Sequence, residues 1–407
     1  MRSRVHYGWL IVAVCMMMIF GASLVSTGMS IGINALHRDY GMSGTETSTI
    51  ITVCSAVAFI STCFADRFYK RLGLRNGMFV AVASGCVAFL IYTLADGTQY
   101  IYYIGSIFGG VTYGLGFMLP ASLLMRRWFT TNRALALSIC SSGSGLSIAI
   151  GSPILETIIE NIGLNISFFM EAVFMAITAI LILLLVKNDP SDIGLEPLGG
   201  KEIQSDTKEK KRFHLSHTTI ILLMIAATFG GICGFPATSH FALNFSTAGL
   251  DDMTVALGIS LFGVMLLISK LVFGEAVDRK GTLFATLLFG SFTVLGLFGG
   301  FMICNISENW LMFTSLMLMG IGYPVISLGY PNWTADFTSM DEYPINLKKL
   351  QMGYQFGIMA GSFLPGMIFD ASGNYSWTYL MFSILMAASL VLVSIAYKSA
   401  KDFTPSE

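Results

Sequence analysis

Apolar residues run along this chain in long blocks separated by short polar breaks. Twelve blocks can be laid out, at approximately 8–33, 45–65, 76–95, 99–125, 132–159, 165–187, 217–246, 253–276, 282–304, 309–335, 347–369 and 375–397. A helix that crosses a bilayer needs roughly 20 mostly apolar residues, so the pattern predicts twelve transmembrane helices. Most blocks contain Gly or Pro, which membrane helices tolerate better than soluble ones do. Arg2 and Arg4 precede the block Trp9–Ile33, which is longer than a signal-peptide core and ends without a small-x-small site. It reads as a retained first helix. The stretch 188–216 is the one long polar segment, and it divides the blocks into two sets of six. Its core, Lys201–Arg212, is charged and lacks apolar periodicity, so it is expected to be a flexible linker. The organisation expected is a first bundle over 1–187, a linker over 188–216, a second bundle over 217–398 and a tail over 399–407.

The cations give the blocks a direction. Arg2, Arg4, Arg67, Lys70, Arg71, Arg75, Arg126, Arg127 and Arg133 fall at alternate ends of the first six blocks. So do Lys187, the linker cations, Arg279, Lys280, Lys348, Lys349, Lys398 and Lys401. That is 21 of the 23 Lys and Arg on one side, against Arg38 on the other and Lys270 inside a block. The positive-inside rule places that basic side, with both termini and the linker, in the cytoplasm of a multi-pass protein of the cell membrane.

Composition agrees: 54% of the 407 residues are apolar and 12% are charged, with mean hydropathy +0.71. Soluble domains carry roughly 25% charged residues. A net charge of -1 gives no reason to expect a nucleic-acid partner. The seven cysteines, mostly inside apolar blocks and without a CxxC pair, read as reduced packing residues. Five histidines show no metal-ligand spacing and no phosphate-cradling GxxxxGK[ST] occurs, so no cofactor and no ATP drive are expected. A membrane enzyme is disfavoured for want of a nucleophile–base pair or a metal cluster in the blocks.

The halves echo each other. Asp66-Arg67 recurs as Asp278-Arg279, Pro120 as Pro331, Pro153 as Pro365 and Gly163 as Gly373, at offsets of 210 to 212 residues and in matching blocks. Both copies have the same orientation. Parallel six-helix repeats about an axis along the membrane normal are the architecture of major facilitator transporters, whose site lies between the halves near the midplane.

The motifs resemble that superfamily. Asp66-Arg67-Phe68-Tyr69-Lys70-Arg71-Leu72-Gly73-Leu74-Arg75 resembles its G-x-x-x-D-R-x-G-R-R/K signature, with Thr62 in place of the leading Gly and a longer run before Gly73. Gly274 to Gly281, with Asp278 and Arg279, keeps the spacing better. Arg127-Trp128-Phe129 with Arg133, Ala134, Ala136 and Ser142-Gly143-Ser144-Gly145 resembles a stretch of the oxalate:formate antiporter and monocarboxylate porter group. Pro190-Ser191-Asp192-Ile193-Gly194-Leu195-Glu196-Pro197 and Pro365-Gly366 with Asp370, Gly373 and Tyr375 resemble further segments of it. The resemblance implies an all-α membrane fold. It also implies a cytoplasmic latch in which Asp66 and Asp278 meet Arg67, Arg71, Arg75 and Arg279 by charge-assisted hydrogen bonds. Plain topological anchoring by the same cations is the alternative.

Lys270 is the most informative position. It lies eight residues before Asp278, roughly 12 Å into the membrane. An ionised Lys at depth costs about 2.5–3.5 kcal/mol on insertion scales, so it calls for a cavity or a partner. In the resembling family a cation four residues before the Gly of the second signature binds the substrate carboxylate, and Lys270 with Gly274 reproduces that spacing. Snorkelling of its stem to the interface is the other reading. Some members of the resembling family that exchange a dicarboxylate have a second cation in the eleventh block. None stands between Leu350 and Asp370 here, where Gln351 and Gln355 are the polar residues, which argues for a monoanion or one carboxylate of a larger molecule. Gln355 could orient the substrate or simply pack. His240 could couple proton entry or be a structural histidine. Tyr113, Tyr323, Tyr330 and Tyr354 suit the wall of a cavity around an organic anion, and equally suit packing. Glu171 and Asp336 are the acids that could relay a proton; Arg38 could attract anions or pair with Asp39. The expectation is a monomeric secondary carrier in the lipid bilayer. It moves a small organic anion, a monocarboxylate, by alternating access with proton symport or anion exchange. Efflux of an amphipathic compound and a non-transporting nutrient sensor are the alternatives.

Overall fold

A computed structural model describes residues 6–42, 44–200, 216–303 and 305–401, and these are helical almost throughout. The charged core Lys201–Arg212, Arg2, Arg4 and the end of the tail lie outside the described residues. The chain forms two compact units, Met1–Ile203 and Gln204–Glu407.

The first unit holds α1 (Tyr7–Tyr40), α2 (Gly44–Cys63), α3 (Ala65–Thr93), α4 (Gln99–Leu115), α5 (Met118–Trp128), α6 (Arg133–Leu146), α7 (Ser152–Asn161) and α8 (Leu164–Leu185). The second holds α9 (His217–Cys233), α10 (Phe235–Ser239), α11 (Phe241–Thr247), α12 (Asp252–Lys280), α13 (Thr282–Met302), α14 (Asn309–Gly322), α15 (Pro324–Phe337), α16 (Tyr343–Gly361), α17 (Leu364–Ser372) and α18 (Ser376–Lys401). There are more helices than spans because the fourth, fifth, seventh, tenth and eleventh blocks are broken. The breaks follow proline chemistry. Pro153, Pro236, Pro324 and Pro365 each sit in the first turn of the helix after a break. There the missing N–H is one that no helix would use, whereas mid-helix it would cost a hydrogen bond. Between α6 and α7 the break takes the form of a π turn, Ser147–Gly151.

Among the described residues, ten helical segments are long and apolar enough to cross a membrane. The other two blocks are helical as well. In α2 the qualifying stretch shortens to Thr49–Cys63, and α16 carries Lys348, Lys349, Gln351 and Gln355 among its apolar residues. Burial follows the pattern of a protein solvated by hydrocarbon. On α8, Ile177, Ile180 and Leu184 are about half exposed, while Ser167, Glu171 and Thr178 are buried.

The repeat read in the sequence reappears as a matching set of helix pairings. In the first unit α1 packs on α6, α2 on α4, and α3 on both α4 and α8. In the second, α9 packs on α16, α12 on α14, and α13 on both α14 and α18. The close approaches match too. A Cβ on Gly143 of α6 would overlap the Met16 carbonyl of α1, and one on Gly357 of α16 would overlap the Thr228 carbonyl of α9. Small residues let backbones touch where hydrophobic association gives no drive inside a lipid phase.

Residues 188–200, read as the start of the linker, are tied to the first unit. The Trp128 indole donates to the Lys187 carbonyl (3.2 Å), and the Leu198 N–H donates to the Trp128 carbonyl (2.9 Å). Thr130 N–H donates to Leu198 O (3.0 Å), and Arg127 pairs with Asp189 (2.9 Å). The Pro-Ser-Asp-Ile-Gly run is a 3₁₀ turn with a reciprocal Asp189/Asp192 capping box, closed by Gly194 at φ 69. The motif is therefore a folded strap.

Candidate functional site

The second unit carries Lys270 on the inward face of α12. The buried stripe of that helix runs Phe262, Leu266, Ser269, Lys270, Phe273 and Val277, with spacings of three and four residues. Val264, Ile268, Leu271 and Val272 form the exposed face, at 39–52% exposure, whereas Lys270 is 1% exposed. A stem snorkelling along the outer face would show its methylenes, so this lysine is not placed that way. Beside it, the Ser269 hydroxyl donates to the Gly320 carbonyl (2.7 Å), which fixes α12 against α14.

Helix α15 packs on α12 and on α16, so the three form one wall of the unit. The Trp333 indole donates to Thr286 Oγ1 of α13 (2.9 Å), and the Tyr343 hydroxyl donates to the Pro331 carbonyl (3.3 Å). Tyr330 of α15 stacks on Tyr354 of α16, centroids 5.1 Å apart. Gln351 and Gln355 of α16 are buried, at 1% and 2% exposure. At 1.5 Å per residue, Lys270 stands about 15 Å from the basic end of α12, Tyr354 about 16 Å and Gln355 about 18 Å into α16, and Tyr330 about 10 Å into α15.

The other expected residues lie elsewhere. Tyr323, half-buried at the α14–α15 break, is edge-on to Phe262 (5.7 Å). It also lies close to the Thr238 side chain. That places it above Lys270, toward His240. His240, at the α10–α11 break, lies about 34 Å along its span from the basic end, some 20 Å beyond Lys270 in depth. Its Nδ1–H donates to the Pro236 carbonyl (2.8 Å), which sets the tautomer, and its ring faces Tyr375 at 5.8 Å. Tyr113 belongs to the first unit and stacks on Phe117 (4.9 Å). Asp336 accepts from the Tyr397 hydroxyl of α18 (2.7 Å). The side chain of Arg38 lies outside the described residues.

Of the expected latch, Asp66 sits in the first turn of α3, with Arg67 and Arg71 exposed. Arg75 donates through Nε (2.9 Å) and Nη2 to the Leu183 carbonyl at the end of α8, and its backbone N–H donates to Asn188 Oδ1 (2.8 Å). Arg279 pairs with Glu275 one turn back (2.6 Å), both side chains more than half exposed, and Asp278 is exposed. Gly73 and Gly281 end the two copies at φ 76 and φ 90, a left-handed conformation that glycine adopts without strain.

Two buried polar residues of α15 escaped the sequence reading. Asn332, at 1% exposure, donates to the Leu328 carbonyl (2.8 Å) and keeps its Oδ1 without a partner among the described residues. Ser327 likewise keeps an unpartnered hydroxyl. The signal was a polar residue directly after Pro331 in an otherwise apolar block.

Residues 9–343 match the family described as Major Facilitator Superfamily. Among curated proteins, monocarboxylate transporter 12 of Rattus norvegicus is 20% identical over 303 residues, which is 67% of this chain and 61% of that protein. The chain thus spans about three fifths of that relative's length. Monocarboxylate transporter 11 of Homo sapiens is 22% identical over 405 residues, covering 96% of this chain and 83% of the relative. An MFS-type transporter of Gibberella moniliformis is 20% identical over 366 residues, covering 87% and 83%.

Proposed function

The chain belongs to the Major Facilitator Superfamily, and from that premise we propose that it carries a small organic anion, a monocarboxylate, across the cell membrane by alternating access. The observation that carries this reading is the burial of the Lys270 ammonium, 1% exposed, on the inward face of α12. A buried cation is expensive unless it faces a partner or a polar cavity. A carboxylate that docks there neutralises it, which gives the carrier a reason to move when loaded. Within the second unit Lys270 is the only buried cation among the described residues. One fixed charge suits one carboxylate. The Tyr330–Tyr354 stack and Gln355, on the neighbouring α15 and α16, supply an apolar wall and a hydrogen-bonding group for the organic part. The names of the relatives, monocarboxylate transporters, agree with that substrate class. The basic side faces the cytoplasm in this reading. Proton symport and anion exchange both fit it.

The test is uptake of labelled monocarboxylates into proteoliposomes by wild type, Lys270→Gln and Lys270→Arg. Truncating one partner of a buried charge pair costs about 2–5 kcal/mol, so Lys270→Gln should lower uptake at limiting substrate by 30-fold or more. Lys270→Arg should retain part of it. Undiminished flux through a folded Lys270→Gln protein removes this residue from the site. A thermal-shift screen over mono- and dicarboxylates then narrows the substrate, since a ligand stabilises the state it binds.

A further inference from the structure

The first unit holds a buried carboxyl that the anion site does not use. Glu171, on α8, is 2% exposed, and its Oε2 has no hydrogen-bond partner among the described residues. Ser167, one turn earlier on the same face, is 1% exposed with an unpartnered hydroxyl. The Tyr102 hydroxyl of α4 and Asn165 Oδ1 are also without partners. Phe168 holds this part of α8 against Tyr92 of α3 (5.3 Å) and Tyr102 (6.4 Å). Glu171 lies within electrostatic reach of Tyr92, whose hydroxyl meets Ser106 Oγ at 3.0 Å. Buried polar atoms are paired as a rule, and four unpartnered ones on two helices mark a place built for a small polar guest.

The groups facing Glu171 decide which guest. Tyr92 of α3 is the titratable group within its reach among the described residues, with Tyr102 of α4 and Cys54 of α2 standing next to Tyr92; none of them is a cation. On α1, Gly21 and Gly32 pack against Met175, Phe174 and Phe168 of α8, and the acids of α7, Glu156 and Glu160, are exposed. Among the described side chains an ionised carboxylate there has no opposing charge, at a depth where burial is costly. A carboxylic acid instead brings its own donor to acceptors already in place. A file of polar groups reaches it from the side opposite the basic loops. The Tyr40 hydroxyl donates to exposed Asp96 (3.4 Å), and Tyr40 lies close to the Asn165 side chain. Asn165 stands about 9 Å along α8 from Glu171, with Ser167 between.

We propose that Glu171 is a proton-binding site of this protein, loaded through Asp96, Tyr40 and Asn165 from the side opposite the basic loops. Its part in coupling rests on the carrier reading above; the site itself does not. Infrared difference spectra of the full chain in lipid, taken across a pH titration, test the site. At neutral pH the wild type should show a protonated-carboxyl band that Glu171→Gln lacks. Absence of that band in wild type, or its full retention in Glu171→Gln, overturns the proposal. If Glu171→Gln does not fold, Tyr102→Phe and Ser167→Ala leave the carboxyl in place and should each shift the band; no shift in either overturns it. In proteoliposomes, Glu171→Gln should lose at least tenfold of the pH-gradient stimulation of labelled pyruvate uptake while keeping pyruvate counterflow. Unchanged stimulation overturns the coupling role. A band without any anion transport would instead sink the carrier reading and leave the proton site standing.

Discussion

Adjacent glycines on α9 give the sharpest test of how the anion wall is held. Gly231 faces α16: a Cβ there would overlap the Tyr354 carbonyl and lie 3.0 Å from the Ile358 nitrogen. A Cβ on Gly230 would meet nothing within 4 Å. Both residues are helical, so Gly→Ala at either gains the same helix propensity, about 1 kcal/mol. At Gly231 the methyl must push backbone against backbone, and overpacking of this kind costs about 1–3 kcal/mol. Gly230→Ala should therefore be neutral or stabilising, and Gly231→Ala should be less stable than it by about 1–3 kcal/mol. For a unit of roughly 200 residues, each kcal/mol moves the midpoint by about 2–4 °C. Thermal unfolding of purified protein followed by intrinsic fluorescence reads this difference directly. Because α16 carries Tyr354 and Gln355, Gly231→Ala should also weaken carboxylate uptake, and Gly230→Ala should not. Equal midpoints for the two variants would refute the α9–α16 packing and, with it, the placement of that wall.

Arg75 and Arg279 should behave differently although both belong to the expected latch. Arg75→Gln removes charged donors from the Leu183 carbonyl and should cost about 1.5–3 kcal/mol, seen as a lower unfolding midpoint of the first unit. An unchanged midpoint would free Arg75 for a purely gating role. Arg279→Gln breaks only an exposed pair with Glu275, worth under about 0.5 kcal/mol. Its midpoint should stay within error of wild type, so any fall in transport rate reports on motion and not on folding.

Hydropathy, charge placement and proline spacing needed no third dimension. Twenty-residue apolar blocks have few fates in water or lipid, and cations resist translocation, so the helices and the basic side follow from local composition. The repeat was visible for the same reason: Asp66 and Asp278, or Pro153 and Pro365, stand at helix ends and breaks, where residue type is dictated locally. Lys270 was legible because a charge inside an apolar block is costly wherever it points. Which way it points was not legible. Only packing shows it on the stripe of Phe262, Leu266 and Phe273, away from Ile268 and Val272. In a helix surrounded by lipid both faces are apolar, so sequence periodicity cannot tell the inner from the outer. The same ambiguity hid the cluster around Glu171. Its members come from different helices, and nothing local marks Tyr92 or Ser167 as neighbours of a carboxyl. Arg75 illustrates the opposite case, in which a motif position has its donors taken up by a helix end brought close in space. Composition determined what could be buried; contacts between helices decided beside what.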